Sequence, residues 1–213
     1  MVPCMRRPLA VAVTAAAVAM AAAIAWAEPR TASSSPEPVA AGAQTVVGRI
    51  RYPGPHYPEL ALPDGTRRAV HSLLNVPHPM TFGDWAWDEA GVPPGPLWIR
   101  VDLKAQLISV FRGEHEIGSA VILYGARAKP SPLGVFHILQ KAKDYRSFTY
   151  DAPMPYMLRL TSDGVAIHAS NVRDGWATHG CIGVPLEFAT RLFGQARLGD
   201  EAVIVGPEKF TTK

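Results

Sequence analysis

The sequence predicts a mainly β domain with one short helix, and three observations support this. From Leu97 onward, runs rich in β-branched and aromatic residues recur at hairpin spacing, separated by polar turns. Twenty prolines and eighteen glycines favour many turns over long helices. Hydrophobic residues make up 48% of the chain and charged residues 18%, as in globular proteins. The net charge of +3, without a basic stripe, argues against nucleic-acid binding.

Residues 1–27 have the pattern of a secretory signal peptide. Arg6 and Arg7 precede an uncharged, alanine-rich stretch that ends in the small-x-small pattern of residues 25–27. An uncleaved membrane anchor is the alternative interpretation, because this stretch nearly reaches the roughly 20 residues that span a bilayer. Both interpretations place the remaining chain outside the cytoplasm. We therefore expect a periplasmic protein, either free or anchored to the inner membrane.

Two segments precede the regular β pattern. Residues 28–44 contain mostly Ala, Ser and Pro with little bulk, so we expect a flexible tether. Residues 45–96 begin with an apolar run that prolines soon interrupt. The sequence assigns this N-terminal extension no role, but Trp85 and Trp87 are expected to pack against the domain that follows. That domain is predicted to span residues 97–206.

The domain divides into short strands and one helix. Each strand is a run of apolar residues bounded by turn residues. A helix is predicted over residues 185–193, since proline suits the first helical position. Its residues Leu186, Ala189 and Phe193 fall on one face. Strands at hairpin spacing make the sheet mainly antiparallel. The predicted strands cover residues 97–102, 107–111, 117–124, 134–139, 156–160, 165–168 and 202–205.

Export would leave the protein with a single cysteine. The chain has two cysteines, Cys4 and Cys181, and Cys4 lies within the predicted signal. A lone cysteine in an exported protein is a buried bystander, a link to another chain, or a reactive thiol. Cys181 follows the polar turn Thr178-His179-Gly180 rather than a core run. This context favours a reactive thiol.

A histidine at the end of a strand supplies a base for this thiol. His168 ends the strand, and the turn-rich residues 171–177 are expected to bring it beside Cys181. An imidazole that takes the thiol proton produces the nucleophilic thiolate of acyl-transfer enzymes. Backbone amides around Gly180 and Cys181 would donate to the developing oxyanion. Spacing alone leaves open whether His168 or His179 is the base.

A catalytic zinc site is the metal-dependent alternative. His168, His179 and Cys181 would supply three ligands, and a water molecule would supply the fourth. The sequence contains no fourth ligand at metal spacing and no H-E-x-x-H pattern. We therefore expect neither a metal nor another cofactor.

Residues 97–205 resemble the L,D-transpeptidase catalytic domain, also called the YkuD domain. That family carries a histidine on a strand and then a Ser/Thr-His-Gly-Cys motif, which correspond here to His168 and Thr178–Cys181. A Thr-Pro-x-Gly-x-Phe element of the family is similar to Ser131–Phe136. The resemblance covers about half the chain. It implies an antiparallel β-sandwich or open-barrel-like fold with a short helix after the cysteine.

The resemblance also implies roles for the motif residues. Cys181 would be the nucleophile and His168 the proton acceptor and donor. Three neighbours would support the oxyanion hole: His179, Gly180 and Thr178. The enzyme would be a monomer that joins peptidoglycan stem peptides by 3→3 crosslinks through a thioester and is acylated by carbapenems. A lipoprotein lysine, another D-amino acid and water are alternative acceptors. A hydrolase on the same fold and a catalytically silent wall-binding module stay open.

Three features depart from the family pattern. The spacing from His168 to Thr178 is several residues shorter than the family usually has. Ala169 replaces the common glycine after the histidine. Gly183 stands where the family usually has Arg or Asn as a polar substrate contact. None of these changes affects the predicted nucleophile or base.

Overall fold

The computed structural model describes residues 43–44 and 46–206 of the chain. The predicted signal or anchor over residues 1–27 and most of the predicted tether over residues 28–44 lie outside the described residues. In the part that is described, no helix has the length and apolar character needed to cross a membrane.

The described residues form sixteen short strands and one helix. In chain order, the elements are β1 (Arg49–Arg51), β2 (Glu59–Ala61), β3 (Arg67–Ala69), β4 (Ser72–Leu74), β5 (Trp85–Trp87), β6 (Leu97–Asp102), β7 (Leu107–Arg112), β8 (His115–Val121), β9 (Gly134–His137), β10 (Gln140–Ala142), β11 (Arg146–Ser147), β12 (Ala152–Pro153), β13 (Met157–Arg159), β14 (Ala166–Ala169), β15 (Ile182–Val184), α1 (Leu186–Gln195) and β16 (Glu201–Val205). The mainly β prediction is confirmed.

The strands form two principal sheets. The large sheet has the order β1-β4-β8-β7-β6-β16-β9, with β5 also paired to β8. The smaller sheet has the order β10-β13-β14-β15. Most neighbouring strands are antiparallel, but three pairs are parallel: β14 with β15, β6 with β16, and β4 with β8. The hairpins β2–β3 and β11–β12 stand outside these sheets.

An apolar core lies between the two sheets, in a sandwich-like arrangement that does not close into a barrel. The large sheet contributes alternate residues, such as Ile99 and Val101 on β6. Residues at every second position of a strand share one face, so this alternation directs one face of β6 into the core. The smaller sheet contributes Leu158, Ile167 and Ile182, each at most 1% exposed. Residues at the alternate positions of these strands therefore lie on the face opposite the core.

Helix α1 covers the predicted segment, and its buried face overlaps the predicted one. The buried residues are Phe188, Ala189 and Leu192. The prediction named Leu186, Ala189 and Phe193, and Leu186 is exposed at 36%. Ala189 is buried and Phe193 packs against the core, as predicted, whereas Leu186 is exposed as the first residue of the helix.

The N-terminal extension contributes three strands to the large sheet, β1, β4 and β5. Trp85 on β5 is buried, and its Cα pairs with that of Ala120 on β8. Trp87 lies over Gly118 of β8 and meets the ring of Phe188 edge-on, with ring centroids 5.5 Å apart. Both indoles thus pack against the domain, as the sequence indicates.

Replacing Gly118 by alanine is expected to destabilise the protein. A Cβ at this position would lie 2.3 Å from Cε3 of Trp87. The indole is held between the sheet and Phe188, so overpacking should cost about 1–3 kcal/mol of unfolding free energy. Chemical denaturation measures the loss. The control is Gly194→Ala in α1, where an added Cβ meets nothing within 4 Å and should not destabilise; equal effects of the two substitutions would contradict this packing argument.

Candidate active site

The motif Thr178–Cys181 forms a tight turn that leads into β15. The Thr178 hydroxyl donates to the carbonyl oxygen of Cys181 at 2.5 Å, which closes the turn. Gly180 has a φ of +106°, a conformation that an L side chain rarely adopts. The turn is also tied to the chain after β8, because the Thr178 N–H donates to the Tyr124 carbonyl at 2.9 Å. These hydrogen bonds fix the position of the Cys181 backbone.

A buried serine holds the turn from the other side. The Ser131 hydroxyl donates to the Gly180 carbonyl at 2.8 Å and accepts from the Gly125 N–H at 2.9 Å. Gly125 allows this approach, since a Cβ there would lie 2.3 Å from the Lys129 carbonyl oxygen. The sequence alone assigns Ser131 no role. Its role in the structure is to fix the Gly180 backbone.

Strand register places His168 and Cys181 on the same face of the smaller sheet. His168 pairs with Gly183 across β14 and β15, and Ile167 pairs with Ile182. Since Ile167 and Ile182 point into the core, their neighbours in sequence point to the opposite face. Cys181 therefore lies beside β14 as a diagonal neighbour of His168.

The imidazole of His168 has a defined tautomer. Its Nδ1 lies 2.8 Å from the carbonyl oxygen of Ala169, and a carbonyl only accepts. Nδ1 therefore carries the proton, which leaves Nε2 with a free lone pair. Burial lowers the pKa of His168 below its ordinary value, while the hydrogen bond to Ala169 partly opposes this shift. At neutral pH the ring is an uncharged base.

The thiol of Cys181 is partly buried against apolar side chains that include Ala166 and Met157. Burial raises its pKa above the ordinary value. A backbone hydrogen bond from Ala166 and the positive charge of Lys129 partly oppose this shift. Sγ lies 3.9 Å from the Gly164 carbonyl oxygen, as a weak donor. The resting thiol is therefore protonated at neutral pH and requires a base before it can attack.

A cavity of about 240 Å³ opens at the thiol. The β11–β12 hairpin forms one wall, where the Tyr150 ring stacks on His179 with centroids 4.5 Å apart. Lys129 donates to the Tyr150 hydroxyl at 2.9 Å. The opposite wall consists of the Ser162–Val165 turn, and Arg159 also lines the cavity. The mixed polar and apolar lining suits part of a peptide.

The predicted site residues differ in how close they lie to the cavity and to one another. His179 and Cys181 line the cavity, whereas His168, Thr178 and Gly180 are not among its lining residues. In the described part of the chain, however, no hydrogen bond joins His168 to Cys181, because both bond to carbonyl oxygens instead. Such contacts are often loose in unliganded sites and tighten with substrate. His168, His179 and Cys181 also form no group that could hold a metal ion, nor do any other three His, Cys, Asp or Glu residues that are described.

Gly183 is buried and packs closely against Ser170. A Cβ at Gly183 would lie 2.8 Å from the Cβ of Ser170, so a larger residue would require Ser170 to move. No side chain projects from this position toward the cavity. The polar contact that the resemblance would place at this position is therefore missing.

Sequence reasoning missed four residues of this site: Ser131, Lys129, Tyr150 and Arg159. Lys129 and Tyr150 are 21 positions apart and meet only because the β11–β12 hairpin folds over the turn. The buried hydroxyl of Ser131 is 49 positions from Gly180. Only Ser131 had a sequence signal, as the first residue of the Ser131–Phe136 element.

Comparison with known proteins agrees with this arrangement. The family model of the YkuD L,D-transpeptidase catalytic domain matches residues 96–205. No curated protein matches the chain. Among solved structures, an L,D-transpeptidase from Stackebrandtia nassauensis is 21% identical with a TM-score of 0.50, over 56% of this chain and 58% of that one. This likeness supports the fold.

Two further structures are similar. A mutant L,D-transpeptidase from Enterococcus faecium is 24% identical with a TM-score of 0.48, over 53% of this chain and 50% of that one. L,D-transpeptidase 1 from Mycobacterium tuberculosis is 24% identical with a TM-score of 0.46, over 52% and 62%. The chain thus spans less than two thirds of each structure's length. Since the family model covers more than half of the chain, the chain belongs to the L,D-transpeptidase catalytic domain (YkuD) family.

Proposed function

We propose that the protein is a peptidoglycan L,D-transpeptidase that joins stem peptides by 3→3 crosslinks through a thioester on Cys181. The observation that carries this proposal is a thiol that lines a cavity, on the same sheet face as an uncharged histidine. The family match supports the reaction class. We also propose that the protein acts after export, in the periplasm.

In the first half-reaction, Nε2 of His168 accepts the thiol proton. The Cys181 sulfur attacks the carbonyl carbon between the third residue of a donor tetrapeptide and its terminal D-Ala. The carbon–nitrogen bond then breaks, and the His168 imidazolium returns the proton to the departing amine. Free D-Ala leaves, and the donor peptide stays as a thioester on Cys181.

In the second half-reaction, an amine of a neighbouring stem attacks the thioester. Neutral His168 accepts a proton from that amine, the carbon–sulfur bond breaks, and the proton returns to the sulfur. The product is a new amide, and the Cys181 thiol is regenerated. Water in place of the amine would give hydrolysis.

The turn supplies the electrostatic support for both steps. Within the described residues, the backbone N–H groups of Gly180 and Cys181 have no backbone acceptor. The Ser131 hydroxyl and the Thr178 hydroxyl hold the carbonyls of the same two residues. N–H donors that are fixed before reaction stabilise the tetrahedral oxyanion without reorganisation.

The pH dependence of kcat/KM follows from the two pKa directions. Neutral His168 is the competent base, and its lowered pKa moves the acid limb below the ordinary histidine value of about 6.5. The raised pKa of Cys181 moves the alkaline limb above the ordinary thiol value of about 8.5. We expect kcat/KM to be constant over a broad pH range between the two limbs. Initial rates across this range measure it; a narrow bell centred on pH 6.5 would contradict the neutral pair.

Muropeptide assays test the function itself. Purified protein is incubated with disaccharide tetrapeptides, and the products are identified by mass spectrometry. The proposal predicts crosslinked dimers with equimolar D-Ala release. D-Ala without dimers would indicate a hydrolase, and the absence of both would indicate a silent wall-binding module. A lipoprotein-derived lysine peptide, added separately, tests the alternative acceptor.

A further inference from the structure

Arg159 is the cavity cation that has no partner among the described residues. Its Nε is buried without a hydrogen-bond partner, and no salt bridge in this part of the chain includes its guanidinium. The other charged side chains of the cavity are engaged: Lys129 donates to Tyr150, and Asp163 accepts from Thr161. A partly buried cation without a partner is unfavourable unless a ligand supplies an acceptor.

Strand register aligns Arg159 with the thiol. Arg159 pairs with Ala166 across β13 and β14. The pairing of Ile167 with Ile182 places Cys181 on the other side of Ala166. The three residues thus form one row across three strands, on the face opposite the core. The outer Cα atoms are two strand spacings apart, about 10 Å.

The middle residue of this row is small. Ala166 carries only a methyl group and is buried in a cluster with Met154 and Met157. Both outer residues line the same cavity. An anion held by Arg159 would therefore lie a few bonds from an atom under attack by Cys181.

We propose that Arg159 binds the terminal carboxylate of the donor peptide, an inference that rests on the proposed function. This carboxylate is separated from the attacked carbonyl carbon only by the amide nitrogen and one carbon. A guanidinium accepts such a group in a bidentate, charge-assisted pair. Arg159 is then a specificity residue that selects donors ending one residue after the scissile bond. It supplies a polar contact to the substrate that Gly183 does not supply.

Steady-state kinetics with matched donor peptides test this role. The donors are a tetrapeptide with a free terminal carboxylate, the same peptide with a terminal amide, and one with a free terminus but an amidated side-chain carboxyl on its third residue. The variants are Arg159→Gln and Arg159→Lys. The control is Arg51→Gln, an exposed position on β1.

For the free-acid donor, Arg159→Gln is expected to raise KM by about 10- to 100-fold, with a much smaller change in kcat. The terminal amide should bind poorly to the wild type and be unaffected by the substitution. Arg159→Lys should retain part of the preference for acid over amide, because it keeps the charge without the bidentate geometry. Arg51→Gln should behave as the wild type.

Two results would overturn the inference while the proposed function stands. One is an unchanged preference for acid over amide in Arg159→Gln. The other is an increase in KM from Arg159→Gln that is lost only with the donor whose third-residue side chain is amidated. That result would assign Arg159 to the side-chain carboxylate.

A binding measurement separates this role from turnover. Calorimetry on Cys181→Ala and on Cys181→Ala combined with Arg159→Gln should show tighter binding of the acid than of the amide only when Arg159 is present. Equal binding of both peptides to both proteins would contradict the inference whether or not the wild type is active. Thermal melting of each variant confirms that it is folded.

Discussion

Replacing Cys181 by alanine should reduce transpeptidation by at least about 10⁴-fold, because no other group on this face of the sheet can form the thioester. Cys181→Ser should preserve the turn and still lose most activity, since a hydroxyl is far less acidic than a thiol. The rate of D-Ala release from a tetrapeptide measures both losses.

The other cysteine provides a matched control for this experiment. Cys4→Ala removes the second thiol of the full chain and should leave the rate unchanged. Full activity of Cys181→Ala would exclude the cysteine mechanism. Melting temperatures close to that of the wild type would show that the loss is chemical, since the cysteine is only partly buried.

Replacing His168 by glutamine should lower kcat by about 10²- to 10⁴-fold, the range for loss of a general base. Because the thiol pKa is raised, the variant has little thiolate at neutral pH. Its rate should therefore rise toward alkaline pH, where the thiol ionises without help. The pH profile of kcat distinguishes this loss of the base from a general loss of structure.

Two other histidines serve as comparisons. His179→Gln should have a smaller effect, because the ring of His179 stacks on Tyr150 at the cavity wall. His137→Gln changes an exposed ring on β9 and should have none. If His179→Gln were the more damaging change and His168→Gln kept its acid limb, the base would be His179.

The strands with strong alternation were predictable from the sequence. β6 and β7 match their predicted runs within one residue at each end, since each has six residues with regularly spaced apolar side chains. The predicted strand over residues 117–124 has different bounds in β8, which covers His115–Val121. The chain leaves the large sheet there, and Leu123 pairs with Gly183 instead.

Short strands that depend on tertiary partners were missed. β15 has three residues with a glycine at its centre, which is a weak strand signal. It exists because β14 pairs with it in parallel and Leu123 pairs with it on its other edge. The same pairing places His168 and Cys181 on one face, which spacing alone did not establish.

The supporting contacts of the site could also not be predicted from the sequence. The partners of Ser131 and Lys129 are distant in the chain, and Arg159 lies on a strand that looks like any other. Its orientation toward the cavity depends on register with β14, and a shift by one residue would turn it into the core. Motifs therefore identified the reacting groups, while the fold identified their supports.

The central claim is that Cys181 carries the acyl group, and mass spectrometry of the protein after incubation with a carbapenem tests it most directly. The intact mass should increase by one inhibitor molecule, and peptide mapping should place the adduct on Cys181. Cys181→Ala should gain no mass. Equal acylation of Cys181→Ala, or an adduct mapped to another residue, would contradict the account.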